Sequence, residues 1–186
     1  MLFIPKDLIL DQNITDIDVA TWCLCDIVVN SSLKESDLIT VSQIVYQMHN
    51  TVDINRSTKE EIGIAIQHLL EENYLIGERQ GKQYYEIFRD SFYMEENEFF
   101  VKAHEDDIRK IFKNLRPFTA LRVYLYLLST INPKTKISAW NKEQLAELIG
   151  KDTTTITRYN KFFEDEKLLY IYRAKPAKDG VYFSNI

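Results

Sequence analysis

Residues 151–161 read Lys-Asp-Thr-Thr-Thr-Ile-Thr-Arg-Tyr-Asn-Lys. If they are helical, Ile156, Tyr159 and Phe163 turn inward at i, i+3 and i+7. The opposite face then presents Thr154, Thr155, Arg158 and Lys161. Threonine hydroxyls bond phosphates or base edges, and an arginine fork fits guanine O6 and N7 bidentately. Thr153 and Thr157 add two further hydroxyls. Lys151 stands beside a helix amino terminus, whose dipole and free N–H groups favour phosphate. Further on, Tyr172-Arg-Ala-Lys-Pro-Ala-Lys-Asp-Gly180 holds Arg173, Lys175 and Lys178, suited to backbone or minor-groove contact. Together these side chains have the chemistry of a surface for double-stranded DNA.

No comparable set exists for catalysis. His49, His68 and His104 are scattered, without a Cys, Ser or carboxylate at supporting local spacing. No phosphate-binding glycine loop, dinucleotide fingerprint or metal-ligand pattern occurs. Cys23 and Cys25 lack a second pair or a nearby His and so cannot close a four-ligand zinc site. In the apolar run Val19–Val29 they read as reduced core thiols, with a redox switch as the sharper alternative. The expectation is a protein that is not an enzyme and needs neither cofactor nor metal.

Positioning the first set of side chains requires a particular succession of elements. Pro117 suits the first turn of a helix that runs through Ala120-Leu-Arg-Val-Tyr-Leu-Tyr-Leu-Leu to about Ile131, where Asn132-Pro133 ends it. Ile137–Trp140 is a short extended segment, and Asn141 caps a helix that stops at Gly150. Asp152 or Thr153 caps the next helix, to about Glu166. Leu168–Arg173 and Gly180-Val-Tyr-Phe are the two strands of a hairpin. Where the two helices meet, Ala146 is small, Gly150 allows a sharp turn and Ile156 points back into the core. Leu145, Leu148 and Ile149 are expected to complete the buried face.

With that spacing, residues 118–183 resemble the winged helix-turn-helix superfamily. On Thr155-Ile-Thr-Arg-Tyr-Asn-Lys161 and Leu168-Leu-Tyr-Ile-Tyr-Arg173 the second half is also similar to the amino-terminal domains of DnaD-type replisome organisers of Firmicutes and to plasmid replication initiators. The resemblance implies DNA binding in replication or transcription regulation, with Thr154, Thr155, Arg158 and Lys161 as base or phosphate contacts.

The first half repeats the order. Ile14–Val29 and Val41–Met48 read as helices, and Ser57-Thr-Lys-Glu60 has the spacing of a capping box that opens a third. Leu75-Ile-Gly77 and Tyr84–Phe88 flank a glycine-containing hairpin tip. Matching Leu69-Leu-Glu-Glu to Phe162-Phe-Glu-Asp gives an offset of 93 residues. The expected fold is helix-rich α+β, two tandem winged helices over 1–90 and 116–186. Residues 91–115 form a connector whose amphipathic helix, His104–Leu115, packs on the second domain.

Charge separates the halves. Residues 1–100 carry seven Lys and Arg against 18 Asp and Glu, a formal −11, and the rest carry 16 against 10, a formal +6. The basic half can neutralise phosphates, whereas the acidic half suits homodimerisation or docking of a protein partner. A rival reading makes both domains protein-binding adaptor modules without DNA binding. The amino terminus lacks a signal peptide's basic flank. Every apolar run is far shorter than a bilayer-spanning helix requires. A cytoplasmic protein without membrane contact is expected.

Overall fold

The computed structural model describes residues 1–31, 34–49, 56–93, 99–115, 118–132, 134–135, 137–173 and 181–184. The protein is α+β and helix-rich, and it divides into two compact units, Met1–Arg122 and Val123–Ile186.

The first unit is built around α2 (Asp16–Asn30). Its start is fixed by a capping box, in which the Thr15 hydroxyl oxygen accepts from the Asp18 N–H. In return the Asp18 carboxylate accepts from the Thr15 N–H at 2.8 Å. From Asp18 to Val29 every residue is buried, so this helix is apolar on nearly all sides and packs against several neighbours. Those are α3 (Val41–His49), α4 (Arg56–Glu71), and β1 (Leu2–Pro5), which leads into α1 (Lys6–Leu10). Trp22 packs edge-on against Phe92 at 5.1 Å and donates from its indole nitrogen to the Tyr74 carbonyl at 2.9 Å. Cys23 and Cys25 lie in this core as free thiols, and burial pushes both well above the ordinary thiol pKa. Thiols held protonated in this way are poor nucleophiles, which is the core reading rather than the redox one.

A three-stranded antiparallel sheet flanks these helices in the order β2 (Ser36–Thr40), β4 (Tyr84–Phe88), β3 (Gly77–Arg79). A separate antiparallel pair joins β1 to β5 (Phe100–Ala103), with Leu2 opposite Ala103. That pairing, between segments far apart in sequence, carries no local signature. α5 (Glu105–Asn114) buries Ile108, Ile111 and Phe112 and packs against α3. Arg109 donates to the backbone carbonyl and side chain of Gln47 at 3.3 and 2.7 Å. The stretch expected to be a connector resting on the second domain therefore supplies a strand and a helix to the first. The amphipathic pattern showed that α5 must be covered, but not by what.

The division between units falls inside α6 (Phe118–Thr130). Arg122 fastens its first turns to the first unit, donating to the carbonyls of Ile9, Asp11 and Ile14 at 3.0, 2.7 and 2.6 Å. Beyond it come β6 (Ile137–Trp140), α7 (Lys142–Ile149), α8 (Thr153–Asp165), β7 (Tyr170–Arg173) and β8 (Val181–Ser184). Here the sheet order is β6-β8-β7. Trp140 packs edge-on to Tyr126 at 4.8 Å and donates to Thr130 Oγ1 at 2.8 Å, tying β6 to the end of α6.

Helix, strand, helix, helix, strand, strand thus occurs twice, as α2-β2-α3-α4-β3-β4 and α6-β6-α7-α8-β7-β8, with the same strand order in each sheet. The register of the repeat is 94 residues rather than 93, because Asn73 and Lys167 (167 − 73 = 94) occupy equivalent places. They are the two described non-glycine residues with positive φ, at 61° and 58°. The residues that follow them, Tyr74 and Leu168, both donate back to a buried residue near the end of the preceding helix, Leu69 in one case and Phe163 in the other. The sequence match slipped because Phe162 and Phe163 are equally apolar, yet only Phe163 is fully buried. Ser57 also departs from expectation. It lies inside the first turn of α4, where its hydroxyl donates to Glu61 at 3.2 Å, and so is not the helix cap.

Candidate nucleic-acid interface

The corner between α7 and α8 sets the geometry of the site. Asn141 caps α7, accepting from the Glu143 N–H at 2.8 Å. Gly150 ends it in the left-handed conformation, with φ at 64° and ψ at 34°. The Lys151 N–H returns to the Ala146 carbonyl at 2.9 Å. Ala146 and Leu145 are buried as expected. Leu148 is not, being 54% exposed. With Leu145, Ala146 and Ile149 facing inward, Leu148 falls about 100° around the helix from their mean direction, since each residue turns it by about 100°.

α8 buries Ile156, Tyr159 and Phe163, with Tyr124 against Phe163 at 5.5 Å between ring centroids. This is the inward face that the sequence pattern requires. Thr154, Thr157, Arg158 and Lys161 are all exposed, and at i, i+3, i+4 and i+7 they form one stripe along the helix. Thr153 and Thr155 are half-buried. The Arg158 guanidinium sits over the ring of Tyr159, 5.3 Å from its centroid. That arrangement is a cation–π contact. Among the described residues, Lys151, Arg158 and Lys161 have no ion-pair partner, so their charge is available to a ligand.

Two threonines are already engaged. Thr157 donates to the Thr153 carbonyl at 2.7 Å, an intrahelical bond that leaves its oxygen able to accept. Thr155 donates through its N–H at 2.7 Å and its hydroxyl at 2.9 Å to Asp152. These bonds, led by the one from the Thr155 backbone, hold the exposed Asp152 carboxyl below its usual pKa. The helix amino terminus expected to be open to phosphate is therefore occupied by a carboxylate of its own. Thr155 acts first as part of that cap.

Of the hairpin residues, Arg173 is the last residue of β7, opposite Val181 of β8. Lys175 and Lys178 lie outside the described residues. No helix among the described residues is long and apolar enough to cross a membrane, and no group of His, Cys, Asp and Glu among them could hold a metal ion. No protein-family model matches the chain, and no curated protein matches its sequence.

Proposed function

We propose that the protein is a non-catalytic DNA-binding factor of the replication-initiator or regulator kind. In this reading each unit is a winged helix-turn-helix, and the second grips duplex DNA through α8 and its hairpin. The observation that carries it is the single exposed stripe of Thr154, Thr157, Arg158 and Lys161, backed by buried Ile156, Tyr159 and Phe163 and presented by the Gly150 corner. A helix of this kind in a major groove reads base edges with its central side chains and meets phosphates with its ends. Arg158 is the base reader. Lys151, Lys161 and the hairpin residues Arg173, Lys175 and Lys178 are the phosphate contacts. The first unit, with its excess of carboxylates, serves a protein partner or a second copy of the chain.

Retention of the intact chain on random duplex DNA across a salt series tests the reading. Counterion release requires log affinity to fall linearly with log salt, by nearly one unit of slope per neutralised phosphate. Lys161→Ala should lower the slope by about one unit. Binding that is indifferent to salt, or no binding at low salt, would leave the adaptor reading in its place.

A further inference from the structure

In the first unit the face of α4 that corresponds to the exposed stripe of α8 is not a flat polar surface. At the 94-residue register, Thr154, Thr157, Arg158 and Lys161 are replaced by Glu60, Gly63, Ile64 and Gln67. Between this face and the β3–β4 hairpin lies a groove of about 690 Å³. Gly63 leaves its floor without a side chain. A Cβ there would meet only the Tyr85 hydroxyl at 3.7 Å and a Val41 methyl at 3.8 Å, ordinary contacts, so neither backbone strain nor crowding demands glycine. Ile64 stands at the edge and is 70% exposed. An aliphatic side chain in that position gains from being covered.

The charges around the groove run against those of its surroundings. Lys59, Arg79 and Lys82 line it, three of only seven cations in residues 1–100. Arg79 is turned toward the hairpin tip by bonds to the Gly81 and Lys82 carbonyls at 2.7 and 3.1 Å and has no carboxylate partner among the described residues. Glu60 and Glu71 also line the groove, so its charge is mixed. That suits a short segment able to place its few carboxylates beside the cations better than the continuous phosphates of a duplex.

We infer that this groove docks a short segment of a partner protein, one that sets an apolar side chain over Gly63 against Ile64 and carries Asp or Glu residues toward Lys59, Arg79 and Lys82. The inference rests on the reading of the first unit as the protein-docking half, and it is independent of whether α8 binds DNA. Apolar anchors seated in a groove, with flanking charge complementarity, are a common way for a folded surface to take a peptide.

The test uses the intact chain labelled with ¹⁵N. The probe is a peptide of about ten residues holding one Leu among Asp and Glu, a length suited to such a groove. Amide shifts are expected at Lys59, Gly63, Ile64, Gln67 and Arg79, with none along α8. Joint Lys59→Glu and Lys82→Glu substitution should weaken binding about tenfold or more, on the scale of losing close charge pairs. Gly63→Leu should abolish binding while the melting temperature holds or rises, which separates a blocked groove from a damaged fold. The inference is overturned if a peptide with Lys in place of Asp and Glu shifts the same amides equally, or if the charge reversals leave affinity unchanged. It is also overturned if duplex DNA shifts the groove amides. Duplex-induced shifts confined to α8 without a peptide response would sink this inference alone, and the opposite pattern would sink the DNA-binding reading alone.

Discussion

Asp26 is a carboxylic acid on the buried stretch of α2, one residue beyond the thiol of Cys25. Only 3% of its surface is exposed, and the amide of Asn30 donates to its Oδ1. Burial raises its pKa from 3.8 to about 7, with the Asn30 bond offsetting part of that rise. Since the folded value exceeds the unfolded one, the native state holds a proton that the unfolded chain has released. Stability from this group is therefore full below about pH 4 and is lost as pH rises toward about 7. The loss is on the order of a few kcal/mol. Asp26→Asn keeps the shape and the acceptor for Asn30 but cannot ionise. It should be more stable than the parent at pH 8 and nearly equal to it at pH 4 in urea unfolding. An equal difference at both pH values would show that Asp26 is not buried as a neutral acid. At this scale the sequence was least informative, because an Asp inside an apolar helix looks the same whether it faces solvent or core.

At the scale of elements, local rules were legible where a cap or a turn fixes the backbone. Thr15, Asn141, Gly150 and Asp152 all sit at the helix boundaries that their chemistry implies. Pairings between distant segments were not legible. The β1–β5 ladder, β2 beside β4, and the seat of α5 on α3 depend on surfaces that exist only after folding. The helix ends of the repeat offer a test of the strain that a positive φ imposes. Asn73 tolerates the left-handed conformation through its short amide side chain, whereas Lys167 adopts it at a cost. Lys167→Gly relieves that strain and should stabilise the chain by about 0.5–1 kcal/mol, net of the greater freedom of glycine in the unfolded state. Thermal or urea unfolding of the variant measures it. A destabilised variant would mean that Lys167 makes a compensating contact.

At the scale of the molecule, one arrangement of helices and strands occurs twice with opposite surface chemistry. In the second unit the exposed side of the later helix carries Thr154, Thr157, Arg158 and Lys161, all visible in the sequence because the inward residues mark the face. In the first unit the corresponding side holds Glu60, Gly63, Ile64 and Gln67 around a groove, which composition alone reduced to an acid excess. In the proposed function Arg158 is a base reader and the hairpin lysines are phosphate contacts, and these roles differ in measurable ways. The most direct measurement is the affinity of the intact chain for a selected and a random duplex over a salt series. It is repeated for Arg158→Ala and for Lys175→Ala combined with Lys178→Ala. Arg158→Ala should cost about 1–3 kcal/mol on the selected duplex and little on the random one, while the lysine pair should weaken both alike and lower the salt slope by about two units. If neither variant changes binding to either duplex, α8 and its hairpin face something other than DNA.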